Sequence, residues 1–341
     1  MALTASGTIK YSEIIAEFGT PNNGGLGEFR LSENVGTLTN LPLDTGIPQT
    51  GQIKFSDFYS KRLNQVVDLY STSVNNTSRQ NAKDRWNNGN VHIVGSSKTG
   101  KTQPPDTVED RVIINVNATI SSAKGTQTHC ALRTGNWDTN TTLEIEIGTS
   151  GKLYGSGGDG GTGGSANETA GTDGQTGSSA LGIQYPCTVN NLGVIQSGYG
   201  GGGGGGGNTR TTGGGKKSGA VTNGSSGGGG GGGAGSPAGG AGGVQTPLSA
   251  GGGSAGSAGG AGSLSGQATG GAGGSEAAAG GNSSPVNNSA TKADNGATVS
   301  GAASPGTGGN NGYAIITNQG SAPSVTGNSA TGRIITSTNP T

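Results

Sequence analysis

The sequence predicts a mainly β and irregular chain in three parts. Residues 1–70 read as a small α+β unit, residues 71–150 as a β-rich connector, and residues 151–341 as a glycine-rich domain of packed polyglycine II helices. Three observations predict this. A short motif occurs twice in the first 60 residues, apolar residues alternate with polar ones between 112 and 147, and glycine, 76 of 341 residues, is concentrated after residue 150.

The repeated motif is Gly7-Thr-Ile9-Lys10-Tyr11-Ser12-Glu13-Ile14 and Gly51-Gln-Ile53-Lys54-Phe55-Ser56-Asp57-Phe58. Each copy reads as a short strand followed by one or two helical turns, with Ser12 and Ser56 as N-caps. Glu13 and Asp57 stand near the positive end of each helix. Ile14, Ile15 and Phe18 then fall on one helical edge, and Gly19-Thr20-Pro21 ends the first helix. Two such units enclose little apolar volume, and small units usually need a partner. The region therefore reads as a docking unit with Ile9, Tyr11, Ile14, Phe18, Ile53, Phe55, Phe58 and Tyr59 as contact candidates. The other reading is a small cap on the next domain.

In the second part, Val112, Ile114, Val116, Ala118 and Ile120 alternate with Ile113, Asn115, Asn117 and Thr119. Leu143, Ile145 and Ile147 alternate with Glu144 and Glu146. A period of two predicts half-buried strands. Trp86 and Trp137 are the only tryptophans and are expected to anchor this core.

After Lys152 the composition changes. Glycine cannot stabilise a helix or strand through a side chain, and costs about 1 kcal/mol in a helix relative to alanine. Runs such as Gly200 to Gly207 can instead extend with three residues per turn and about 3.1 Å rise. Such helices have no internal hydrogen bonds, so neighbours must pair with one another. Apolar islands at 181–183, 189–195, 313–316 and 334–335 argue against a flexible linker and are expected to seal the edges of a glycine lattice.

Composition excludes several functions. The chain has 19 basic and 19 acidic residues, so there is no basic face for nucleic acid. The N-terminus lacks a basic segment followed by an apolar run, and no stretch approaches the roughly 20 apolar residues of a membrane span. Synthesis in a cytosol and a soluble product are expected, without membrane insertion. Cys130 and Cys187 are too few for a disulfide framework and read as buried thiols. Gly95-Ser-Ser-Lys-Thr-Gly100-Lys101-Thr102 matches the phosphate-binding P-loop pattern. The following Gln103-Pro104-Pro105 stops the helix that the chemistry needs, so it reads as an exposed basic loop. His92 and His129 show no metal-ligand spacing. Glu144 and Glu146 read as solvated, and Asp159 in Gly158-Asp-Gly-Gly-Thr-Gly resembles a fragment of a calcium repeat that does not recur and is discounted. No enzymatic activity, metal or cofactor is expected.

The segments Leu143-Glu-Ile-Glu-Ile-Gly-Thr-Ser-Gly-Lys-Leu-Tyr-Gly155-Ser-Gly-Gly-Asp-Gly-Gly-Thr-Gly-Gly164 and Asn191-Leu-Gly-Val-Ile195-Gln-Ser-Gly-Tyr-Gly resemble the distal adhesin that caps the long tail fibres of T-even-type bacteriophages. The resemblance covers about residues 140 to 341. The Gly7 and Gly51 motif is similar to N-terminal units of tail and baseplate proteins of marine phages. The resemblance implies a virion protein at a tail-fibre tip or baseplate, made in the host cytoplasm. It would be held by other tail or baseplate proteins through its N-terminus and bind a bacterial glycan or outer-membrane protein through loops between glycine helices. Carried onto this chain, the receptor-loop candidates are Asn208, Thr209, Arg210, Thr211, Thr212, Lys216, Lys217, Ser236, Pro237, Gln245, Thr246, Asn287, Asn288 and Lys292. The family's receptor loops are rich in aromatics and these hold none; Ser, Thr and Asn suit a glycan. The alternative is a structural tail protein with the glycine domain as a rigid spacer.

Overall fold

The computed structural model describes residues 3–69, 80–102, 111–164, 170–205, 208–212, 221–225, 232–233, 298–302, 304, 306–318, 323–331, 333–335 and 340. The chain is mainly β, with few helices.

The N-terminal unit holds helix α1 (Tyr11–Phe18), a hairpin of β1 (Ser32–Val35) and β2 (Leu38–Pro42), and a 3-10 turn at Phe55–Phe58. The two motif copies fold alike at their helix starts. Glu13 accepts from the Lys10 N–H at 2.9 Å and Asp57 from the Lys54 N–H at 2.8 Å. The caps are thus Lys10 and Lys54 rather than Ser12 and Ser56. Each serine lies in the first turn, and the acid one residue later reaches back to the orphan amide. The residues before each helix are extended but form no strand. Phe18, Phe29 and Phe58 meet edge to face at centroid distances of 6.2, 5.8 and 5.5 Å. All three are fully buried, and burial of each is worth about 1.5–3 kcal/mol.

Apart from the glycine-rich segments and a separate antiparallel sheet, the rest of the described chain is a three-faced solenoid of parallel strands. Its first coil holds β3 (Asn64–Asp68) and β4 (Gln80–Asn81), followed by helix α2 (Ala82–Asn87), β5 (His92–Ile93) and the four-residue helix α3 (Ser96–Thr99). The second coil is β6 (Arg111–Val116), β7 (Thr119–Ser121) and β8 (Cys130–Arg133). The third is β9 (Thr142–Ile147), β10 (Lys152–Tyr154) and β11 (Ser179–Ile183). The fourth is β12 (Thr188–Asn191) and β13 (Val194–Gln196), then, past β14 (Asn208–Thr212), β15 (Val221–Ser225) and β16 (Thr298–Ala302), β17 (Tyr313–Thr317). The fifth is β18 (Ser324–Gly327), a bridge at Thr331 and β19 (Arg333–Ile335). Three sheets result, with orders β18-β12-β9-β6-β3-β5, β13-β10-β7 and β19-β17-β11-β8-β4. Every pairing between coils is parallel; within the first coil β5 pairs antiparallel with β3.

Register stacks like on like. Val67, Ile114, Ile145, Val189 and Val325 form one ladder, and Ile120, Leu153 and Ile195 another. Leu132, Leu181 and Ile315 occupy the third sheet. The apolar islands at 181–183, 189–195 and 313–316 therefore supply rungs of the solenoid core rather than seals on a glycine lattice, whereas Ile334 of the last island is exposed. Trp86 and Trp137 meet at 5.8 Å in that core, with the Lys83 ammonium over both rings.

The alternation in β6 predicted one exposed face, yet Ile113 and Asn115 are buried. The reason is tertiary: the N-terminal unit lands on the outward face of β3 and β6, and Val66 and Ile113 join its core. On β9, beyond that contact, Glu144 and Glu146 alternate as predicted with the buried Leu143, Ile145 and Ile147.

Candidate binding surface

Four glycine-rich segments leave and re-enter the solenoid at adjacent rungs. Residues 155–164 run out from β10 and 171–178 return into β11; residues 197–205 run out from β13 and 306–312 return into β17. Their amides donate in threes. The N–H groups of Gly155, Gly158, Gly161 and Gly164 go to the carbonyls of Gln196, Tyr199, Gly202 and Gly205 at 2.7–2.8 Å. Gly171, Gly174 and Gly177 donate to Ser304, Thr307 and Asn310, whereas Thr172, Gln175 and Ser178 donate to Thr162, Asp159 and Ser156. Gly198, Gly201 and Gly204 donate to Ser178, Gln175 and Thr172, and accept from Gly312, Gly309 and Gly306.

The same period of three fixes where glycine is required. A methyl carbon at Gly158, Gly161, Gly171, Gly174, Gly201 or Gly309 would fall 2.0 Å from a carbonyl oxygen of the neighbouring segment. The backbone is the packing surface, and residues with side chains occupy the positions between: Thr172, Asp173, Gln175 and Thr307 are exposed. This G-x-x period in 155–164, 171–177 and 306–312 is legible in the sequence; the longer homoglycine runs hide it.

The far end of the segments carries a three-stranded antiparallel sheet, β15-β14-β16. Candidates Asn208, Thr209, Arg210, Thr211 and Thr212 form its central strand rather than a loop, paired with Val221–Ser225 on one side and Thr298–Ala302 on the other. Lys216, Lys217, Ser236, Pro237, Gln245, Thr246, Asn287, Asn288 and Lys292 lie outside the described residues.

The docking candidates divide. Ile9, Ile14, Phe18 and Phe58 are buried in the N-terminal core, Tyr11, Ile53 and Tyr59 are half-buried, and Phe55 is 41% exposed. Tyr59 is engaged inside the unit, where its hydroxyl donates to the Gly7 carbonyl. The first four support the unit; Phe55 is the candidate positioned to meet another molecule.

The P-loop-like segment is engaged within the fold. Glu33 accepts from the Gly95 N–H at 2.9 Å, and its second oxygen lies 2.7 Å from His92 Nε2, so a carboxylate of the chain stands among these donors. The Lys101 ammonium donates to the Ala16 carbonyl. The Lys124 ammonium lies 2.8 Å from Asp159. Arg111 spans Asp44 of the N-terminal unit, at 2.8 Å, and Glu144 of the third coil, at 2.9 Å. Burial, against a hydrogen bond from Asn190 and with help from the Glu144 charge, raises the Glu146 pKa. Burial pushes the Cys187 thiol up to about 12, which leaves it a poor nucleophile.

Comparison with known proteins adds the family. No curated protein matches the chain. The chain is similar to the crystal structure of the gp37-gp38 adhesin tip complex of the bacteriophage S16 long tail fiber, at 20% identity over 97% of this chain and 100% of that one, with a TM-score of 0.41. The model of the phage tail fibre adhesin Gp38 family matches residues 86–335, which take in the second to fifth solenoid coils and the glycine-rich segments together. The chain belongs to the Gp38 family of phage tail fibre adhesins.

Proposed function

We propose that residues 151–341 are the adhesin domain of a receptor-binding protein. In this reading the glycine segments are polyglycine II helices of the T-even type, and their far end meets the host cell surface. Residues 71–150 connect, and residues 1–70 dock the protein to another tail or baseplate protein in the virion. The observation that carries the reading is the three-residue hydrogen-bond period joining four segments of both directions. That period is what extended helices of three residues per turn require, since each turn presents one amide to each neighbour. A stiff bundle of this kind holds the sheet roughly 25–30 Å from the solenoid, at about 3.1 Å per residue over eight to ten residues. Only small polar side chains and Arg210 are found on the central strand of the sheet, which suits a host-surface glycan more than an apolar protein patch. Single contacts of this type are worth about 1 kcal/mol, so attachment relies on several fibres acting together.

The test replaces residues 208–302 with a short Gly-Ser connector in the phage. The expected result is virions with complete tails that fail to adsorb. Normal adsorption by such virions supports the other reading, a rigid structural spacer, and overturns this one.

A further inference from the structure

We propose that Asp173, Thr307, Thr162 and Thr172 are register locks: they select one of the alignments that the glycine backbones alone accept, and so fix where the far end of segment 171–178 stands in the bundle. The argument starts from the period. Glycine recurs every third residue at 171, 174 and 177 and again at 306, 309 and 312. A three-residue slide returns glycine to glycine sites and re-forms the same amide-to-carbonyl bonds, apart from those at the end.

Such a slide moves a segment by about 9 Å. At the solenoid the register is held by the ladders β11–β17 and β11–β8. Asp173 stands six residues before Ser179, where β11 begins, and the hold weakens over that distance. Six residues rising 3.1 Å each span roughly 19 Å, and full extension reaches only about 22 Å. A slide away from the solenoid is therefore barred, and a slide towards it, with three residues bulging near the base, is the available error.

Side chains oppose that error. Asp173 Oδ1 accepts from both the N–H and the hydroxyl of Thr307, at 2.7 and 2.8 Å. Thr172 Oγ1 accepts from the Thr162 N–H at 2.8 Å and lies 3.0 Å from the Thr162 hydroxyl. The slide would set Asp173 against Asn310, which has no hydroxyl, and part Thr172 from Thr162. Both locks are exposed and contribute little to bulk stability; their effect is on alignment. The two fasten segment 171–178 to 306–312 on one side and to 155–164 on the other, so that segment is held from both flanks. Asp173 bonds to Thr307 hold its carboxyl below the usual carboxylate range, in accord with an acceptor engaged in the folded protein.

The functional part rests on the reading that the far end touches the host. The test separates the two. Spin labels at Ala170→Cys and Ser324→Cys, both exposed positions, report alignment in the full chain; they are placed in a Cys187→Ala background, since Cys187 is half-buried, whereas Cys130 is fully buried. The unaltered locks give one label distance. Asp173→Ala combined with Thr172→Val gives a second population displaced by about 9 Å, and adsorption of phage carrying the pair falls at least tenfold. Asp173→Asn, which keeps the accepting Oδ1, restores the single distance when Thr172 is intact. A single, unshifted distance in the double variant overturns the locks. A second population with unchanged adsorption leaves the locks standing and overturns the role of the far end.

Discussion

Replacing Gly201 by alanine tests the claim that backbone packs directly on backbone. The added methyl carbon would lie 2.0 Å from the Asp159 carbonyl oxygen, where ordinary contact begins at 3.4 Å, so the two segments must part by about 1.4 Å. Gly201 donates to Gln175 at 2.8 Å and accepts from Gly309 at 2.7 Å, and the displacement breaks or lengthens both. Each such bond is worth about 0.5–1.5 kcal/mol, and overpacking a close-packed site adds about 1–3 kcal/mol. The expected loss is about 2–6 kcal/mol, a large share of the roughly 5–15 kcal/mol that typically holds a domain. Calorimetry should show the glycine-rich part melting about 5–15 °C lower, with amide exchange accelerated at Gly198, Gly201 and Gly204. Gln175→Ala is the control: its side chain is exposed and its amide bond is kept, so the change stays within about 0.5 kcal/mol. A Gly201→Ala protein that melts with the wild type shows that these segments do not touch, and the reasoning fails with it.

Three further outcomes are expected. Phe58→Ala removes a fully buried ring from the aromatic cluster and costs about 3–5 kcal/mol in urea unfolding; Phe55→Ala leaves stability within about 0.5 kcal/mol but lowers the yield of virions that carry the protein. Arg111→Met takes the cation from Asp44, whose side chain is only 5% exposed but keeps the Thr45 and Arg62 amides, and frees Glu144; a loss of about 1.5–3 kcal/mol and early proteolysis between residues 43 and 63 are expected, and an unchanged cleavage pattern counts against the bridge. Glu146 holds its proton more tightly folded than unfolded, so its contribution is complete below the unfolded pKa near 4.5 and declines as pH rises through the raised value. Glu146→Gln should therefore raise stability in urea unfolding slightly at pH 7, by less than about 1 kcal/mol at this half-exposed site, and give no gain at pH 4; equal gains at both would refute the assignment.

Much of the architecture was present in local pattern. The alternation from Leu143 to Ile147 reports a half-buried strand because side chains alternate across any strand, whatever it pairs with. The motif copies at Gly7 and Gly51 report two similar helix starts because a cap is closed within four residues. The helix caps were misread by two residues because serine is a strong capping residue by type, whereas here the acid after it does the capping. The full burial of Ile113 and Asn115 was not legible, since what covers them comes from residues 3–63. The assignment of Asn208–Thr212 to a strand was missed as well: its partners begin at Val221 and at Thr298, and Ser, Thr and Asn carry no apolar alternation to mark them.

The sequence by itself determined that the described glycine segments can pack only through backbone, because a residue without a Cβ offers nothing else to bury. It also located the apolar islands, most of whose described side chains leave water, Leu192 and Ile334 excepted. Only the tertiary structure decided that those islands are successive rungs of one solenoid. Insertions at 155–178 and 197–312 separate rungs that lie side by side in space, and no local window spans them. The irreplaceable glycines follow the same division: their type is local, but the carbonyl that each must admit belongs to a segment that only the folded chain brings near.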